Sequence, residues 1–244
     1  MKKERYHLLD ALRGFTLLNM IAYHGIYDLV VLYGMPYVWF WTGPGYIWQQ
    51  CICWTFILLS GFCWRMGSAP LRRGLVISAC GLVITAVTAV MMPSGRILFG
   101  ILTFTGAAMT ALVPISKWLE RIPAWAGLLI SAGLFFLTRN INDGMWGFGT
   151  IVLGPVPKGL YQGLVMTFLG FPKPDFYSGD YFSFFPWFFL YLCGYFLYGI
   201  WMRYETAKKV LRFRVPVLVW LGRNALPVYM VHQPVLMLVL ACIF

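Results

Sequence analysis

Residues 5–29 read RYHLLDALRGFTLLNMIAYHGIYDL. The stretch is apolar and long enough to cross a hydrocarbon core as a helix, yet it carries Asp10, Arg13, His24 and Asp28. A charged side chain at the centre of such a helix costs on the order of 2.5–3.5 kcal/mol, so its presence points first to function. The spacings are three (Asp10 to Arg13), eleven (Arg13 to His24) and four (His24 to Asp28). At 3.6 residues per turn these positions fall near one face, with Asn19 and Met20 close by. Arg13 and His24 are then about 16 Å apart along the axis. With these charges and no small-residue cleavage site, the segment reads as a retained membrane helix rather than a signal peptide.

The rest of the chain supports a membrane setting. Of 244 residues, 60% are hydrophobic and 11% charged, and the mean hydropathy is +0.74. Soluble domains carry about 25% charged residues, so this chain cannot cover a water-soluble globule. Aromatic residues make up 18%, eleven of them Trp, as interfacial belts require. A soluble enzyme, a disordered chain and a disulfide-stapled secreted domain are excluded. The formal charge of +11 comes in short clusters between apolar runs, which fits topology and not nucleic-acid binding. The six Cys (51, 53, 63, 80, 193 and 242) lie mostly within apolar runs and lack metal-ligand spacing, so they read as small buried hydrophobes. No metal is expected.

Seven spans are expected, at residues 8–33, 46–64, 74–92, 97–116, 122–138, 181–202 and 224–244, with an eighth admissible. All but the first are free of Asp, Glu, Lys and Arg, and 122–138 is the shortest. Lys2, Lys3, Arg5, Arg65, Arg72, Arg73, Lys117, Arg121, Arg203, Lys208, Lys209, Arg212 and Arg214 then share one side, while Arg96, Arg139, Lys158 and Lys173 share the other. Thirteen against four places the N-terminus in the cytoplasm and the C-terminus outside. The fold class is therefore an all-α polytopic bundle, a single integral-membrane domain over residues 1–244. Residues 140–178, rich in Gly and Pro, read as an outer interfacial or re-entrant segment. Residues 203–223 read as a basic amphipathic helix on the cytoplasmic face.

The His24–Asp28 pair is one helical turn apart. Asp28 is placed to hold one ring nitrogen as N–H, leaving the other to take a proton. A purely structural His–Asp pair is the competing reading. The rings of Tyr37, Trp39, Trp41, Tyr46 and Trp48 form an aromatic belt or a surface on which a sugar stacks.

The opening stretch resembles the first membrane helix of the transmembrane acyltransferases, whose Arg–His pair is matched by Arg13 and His24. The chain is most similar to small bacterial proteins with a heparan-alpha-glucosaminide N-acetyltransferase-like catalytic domain. TFILLSGFCWRMG (55–67) resembles a Leu-Ser-Gly signature at Leu59, Ser60 and Gly61. RILFGILTFTG (96–106) resembles an element carried here by Phe99, Gly100 and Gly106. DYFSFFPWFFLYLCGYFLYG (180–199) matches at Asp180, Pro186, Trp187 and Gly194. LGRNALPVYMVHQPVL (221–236) resembles the closing helix, at Gly222, Asn224, Tyr229, His232, Gln233 and Pro234. Thr103 departs from the pattern, which often has His there.

The resemblance implies transfer of an acyl group, commonly acetyl, from cytoplasmic acyl-CoA to a hydroxyl or amine of a sugar-type acceptor outside. His24 is then the catalytic residue, either as base or as the group acylated, with Asp28 orienting it. By the same resemblance Arg13, Arg65, Arg72, Arg73 and Arg223 at the inner face hold the phosphates of CoA. Arg96, Asp180, His232 and Gln233 contact the acceptor, with Asn140, Asn142 and Asp143 as solvated loop residues or further contacts. The setting implied is the bacterial inner (plasma) membrane, without nucleic acid, and a homodimer is compatible with it. The alternative is a proton-coupled transporter or flippase using the Arg13–His24–Asp28 stripe, although no repeated halves are visible.

Overall fold

The computed structural model describes residues 5–244, so Lys2 and Lys3 of the cation tally lie outside the described residues. Each of the seven expected segments is a helix. They are α1 (His7–Val31), α2 (Gly43–Trp64), α3 (Pro70–Met91), α4 (Ile101–Leu119), α5 (Ala124–Thr138), α7 (Phe184–Trp201) and α10 (Ala225–Ile243). Among the described residues five stretches are long and apolar enough to cross a membrane: Gly43–Trp64, Pro70–Met91, Ala124–Asp143, Phe184–Trp201 and Ala225–Ile243. Helices α1 and α4 are not among them. The first is interrupted by its own charges, and the second contains three Thr and carries Lys117 in its last turn.

The chain divides into two compact units, Met1–Leu59 with Trp201–Phe244, and Ser60–Ile200, whose boundaries fall inside α2 and α7. In the first unit α1 lies against α9 (Pro216–Arg223) and α10. Glycine makes the α1–α9 crossing possible. A Cβ on Gly14 would run into the Leu218 carbonyl, and one on Gly222 into the carbonyl of Asp10. Backbone therefore meets backbone, as small residues permit between membrane helices. The core here is Leu17, Met20 and Ile52, with Ile21, Tyr23, Trp48, Phe56, Val228 and Tyr229 packed around it. Asp10, Gly14, Leu17, Met20 and Asp28 are buried along α1, so two of the expected charges do lie on the packed face.

In the second unit α3 and α4 pack through Gly74, Gly81 and Gly106. A Cβ on Gly81 would sit 2.7 Å from the Thr103 nitrogen, and one on Gly106 2.6 Å from that of Ser78. Gly61 of α2 abuts the carbonyl of Tyr191 on α7, and the Trp64 indole donates to the Met109 carbonyl of α4 at 3.0 Å. From Pro186 to Phe196 α7 is buried continuously apart from Phe189, with Tyr191 and Tyr195 at its centre. The outer face of α3 instead leaves Leu75, Leu82, Val83, Val87 and Val90 exposed, the surface a lipid-facing helix needs.

Two segments differ in detail from expectation. Residues 140–178 contain an antiparallel hairpin, β1 (Met145–Phe148) and β2 (Ile151–Pro155), before the short helix α6 (Gly163–Leu169). Glycine explains the exception to an all-helical chain. Gly147 and Gly149 have φ of +134° and +55°, a region that favours glycine, and the Ile-Val-Leu run beside them prefers extended backbone. Residues 203–223 form two short helices, α8 (Glu205–Leu211) and α9, because Pro216 starts a new helix at its first turn.

Candidate active site

At the N-terminal end of α1 Asp10 gathers the nearby guanidinium groups. Arg5 Nε donates to its Oδ2 at 2.9 Å, Arg13 Nη1 to its Oδ1 at 3.1 Å, and Arg223 Nε approaches Oδ2 at 3.7 Å. Arg13 also reaches the Gly222 carbonyl at 3.4 Å, and Arg223 donates to His7 Nδ1 at 3.4 Å. The close α1–α9 crossing thus brings Arg223 beside Arg13, two residues from opposite ends of the chain that share one expected anion. One carboxylate among these cations leaves the cluster with surplus positive charge. The roles of Asp10 as hub and of Arg5 were not read from the sequence, although both residues lie inside its opening stretch.

Further along α1 the His24 side chain meets α10. His24 Nδ1 lies 3.2 Å from Gln233 Oε1, and Gln233 Nε2 lies 2.9 and 2.8 Å from the two oxygens of Asp28. The direct contact expected between Asp28 and His24 is therefore replaced by a chain with the Gln233 amide in the middle. The physical reason is that α10 lays a side chain between two residues stacked one turn apart. The carboxylate oxygens accept, so the amide NH2 faces Asp28 and the amide oxygen faces the imidazole. Asp28 is 2% exposed, which removes water as a competitor for these bonds.

His232, one residue before Gln233, brings a second imidazole. Its ring stands edge-on to His24 with centroids 4.9 Å apart, and its Nδ1 donates to the Tyr229 carbonyl at 2.5 Å. Its Nε2 is buried and has no hydrogen-bond partner among the described residues. A buried polar atom left without a partner calls for a functional explanation. Tyr23 closes the other side of His24 with centroids 6.1 Å apart, and packs on Phe40 (4.8 Å) and Trp48 (5.4 Å). The Trp48 indole in turn donates to Asn19 Oδ1 at 3.1 Å. The aromatic cluster thus has a packing role around α1 as well as exposed rings at Trp39 and Trp41.

The remaining candidates belong to the Ser60–Ile200 unit. Arg65 pairs with Glu120 at 3.6 Å and lies 5.3 Å over the rings of both Tyr195 and Tyr198. Arg72 and Arg73 lie at the start of α3, and Arg96 is exposed in the loop before α4. Asp180 accepts the Ile101 backbone N–H at 3.2 Å on Oδ2, so it caps the N-terminus of α4. Burial pushes its carboxyl up to about 6, against the opposing pull of that N–H. Asn140 is not a solvated loop residue: it is buried and exchanges hydrogen bonds with Gly149 at 2.9 Å in both directions, closing the hairpin. Asn142 likewise ties Gly170 (2.9 Å) to Ser183 (3.1 Å). Their spacing carried no signal of these partners. Among the described residues no group of three or more His, Cys, Asp or Glu side chains is placed to hold a metal ion.

With this geometry established, the chain can be set beside known proteins. The family model described as heparan-alpha-glucosaminide N-acetyltransferase, catalytic, matches residues 5–234. Neither the curated proteins nor the solved structures contain a match.

Proposed function

The chain belongs to the heparan-alpha-glucosaminide N-acetyltransferase catalytic family, a family of membrane acetyltransferases, and from that premise we propose that it transfers an acetyl or similar acyl group from cytoplasmic acyl-CoA to an amine or hydroxyl of an extracytoplasmic sugar-type acceptor. The supporting observation is that α1 carries a cation cluster at one end and, about 16 Å on, an imidazole held by its Nδ1. In this reading the chain sits in the plasma (inner) membrane with seven spans, its N-terminus cytoplasmic and its C-terminus outside. Helices α1 and α4 are the least apolar of the seven.

Arg13 and Arg223 take the CoA phosphates with the charge that Asp10 does not neutralise. Within the Ser60–Ile200 unit Arg72 and Arg73 lie at the start of α3 without a carboxylate partner among the ion pairs described, whereas Arg65 is already held by Glu120 and two tyrosine rings. The thioester meets His24 Nε2. Acting as base, Nε2 takes a proton from the acceptor as the acceptor's N or O attacks the thioester carbonyl. The C–S bond breaks, and the imidazolium returns the proton to the CoA thiolate. Acting as nucleophile, Nε2 takes the acyl group itself and CoA leaves as thiolate; the acceptor's N or O then attacks the acyl carbon, the C–Nε2 bond breaks, and the acceptor's proton passes to the thiolate. His232 faces the acceptor from α10, while Gln233, expected to share that role, is held between Asp28 and His24. In the Ser60–Ile200 unit Asp180 keeps the start of α4 in place.

The test is CoA-thiol release from acetyl-CoA by detergent-purified protein, wild type beside His24→Ala. The expected outcome is slow release by wild type and a loss of roughly 10²–10⁴-fold in the variant. Absence of both release and acetyl-CoA binding, read as a thermal shift, overturns the proposal and leaves transport along the α1 stripe as the reading.

A further inference from the structure

We propose that Gln233 is the positioning residue of this site: its amide, oriented by Asp28, fixes His24 as the Nδ1–H tautomer and so makes Nε2 the nitrogen that reacts. The naming of Nε2 as the reacting atom rests on the acyltransferase reading; the tautomer does not.

An amide has an acceptor at one end and a donor at the other, in nearly the same shape. Which end faces His24 is decided by what faces the opposite end. Asp28 presents two oxygens to Gln233 Nε2, at 2.9 and 2.8 Å, so the NH2 is committed there. Turning the amide over would set its oxygen against a buried carboxylate, leaving both acceptors unpaired at a cost well above the net worth of a normal hydrogen bond. The amide oxygen is therefore committed to His24 Nδ1, 3.2 Å away, and can only accept. A neutral imidazole that donates from Nδ1 has a bare Nε2.

The surroundings leave that nitrogen undisturbed. The titratable groups facing His24 are Tyr23 on its own helix and His232 on α10, with Asp28 set back behind the amide. His232 commits its own Nδ1–H to the Tyr229 carbonyl, so it has no hydrogen to give to His24 Nε2. A direct carboxylate–imidazole contact would fix the same tautomer but draw a proton onto the ring. The interposed amide transmits direction while keeping the full charge one residue away.

The test uses the full chain with ¹⁵N-labelled histidine in micelles, where nitrogen shifts report which ring atom carries hydrogen. The three histidines are assigned by single replacements. Wild-type His24 is expected to show the Nδ1–H pattern. In Asp28→Asn the amide is no longer committed, and the pattern is expected to become mixed or Nε2–H, with kcat for acetyl-CoA turnover at least tenfold lower and KM little changed. Gln233→Leu is expected to lose the pattern likewise. The double variant Asp28→Asn with Gln233→Glu puts a carboxylate at position 233, which accepts from the new carboxamide at position 28 and from Nδ1–H together. The Nδ1–H pattern is expected to return, with kcat regained only in part because the carboxylate now touches the ring directly, whereas a helix-packing role would leave the tautomer unmoved throughout. An Nε2–H pattern in wild type, or an unchanged one in both single variants, overturns the proposal. If only the acyltransferase reading is at fault, the shifts behave as stated while turnover is absent from wild type.

Discussion

Asp180 has a buried carboxyl whose Oδ2 accepts the first N–H of α4. Burial outweighs that bond and raises its value from 3.8 to about 6. A raised acid favours the folded state in its neutral form, so this stabilisation is complete below the ordinary carboxylate range and is lost as pH rises through about 6. Asp180→Asn, which keeps an oxygen for the Ile101 N–H, should therefore melt higher than wild type at pH 8 and level with it near pH 4. A shift of this size corresponds to roughly 3 kcal/mol as an upper figure. Thermal unfolding of both proteins at the two pH values checks it, and a larger gain at the lower pH would mean that the helix terminus holds the charge. The sequence marked Asp180 as a site residue through its motif. It could not show that α4 begins beside it, because that pairing joins segments 79 residues apart. The same limit applied to His24: the residue and its turn-related Asp28 were legible, whereas the amide between them comes from α10.

Glycine placement governs the helix crossings. At the α1–α9 contact a Cβ on Gly222 would stand 2.7 Å from the Asp10 carbonyl carbon and 3.0 Å from the Gly14 nitrogen, both backbone atoms that cannot swing aside. Gly222→Val is expected to destabilise by roughly 1–3 kcal/mol through overpacking and to lower the melting temperature. Gly25 on α1 meets only Leu236 Cδ2 at 3.6 Å. Gly25→Ala should hold or raise the melting temperature, since a helix gains up to about 1 kcal/mol from that change where space allows. Equal losses in both variants would show that the glycines act through something other than contact distance. Helix positions were legible because apolar runs bounded by charges need no partner to be recognised. The hairpin at 145–155 was not, since its Gly-Thr turn and flanking apolar residues also suit an interfacial segment, and Asn140 closes it from outside the strands.

At the scale of the molecule, the cation asymmetry makes an orientation testable. In a cysteine-free background, Tyr177→Cys should react with a membrane-impermeant maleimide on intact cells, and Ser68→Cys only after the membrane is opened. Neither position is buried. The reverse pattern would invert the topology, and labelling of both from outside would mean a miscounted span. The expectation rests on charge and hydropathy along the chain, which need no long-range contact to be read. The division into two units, with α1 packed on segments near the far end, depends on long-range contacts that leave no periodic mark. That closure also bears on biosynthesis. Asp28 and His24 leave the ribosome early and wait for Gln233, translated 205 and 209 residues later. A nascent chain thus holds an imidazole whose tautomer nothing yet dictates until α10 is made.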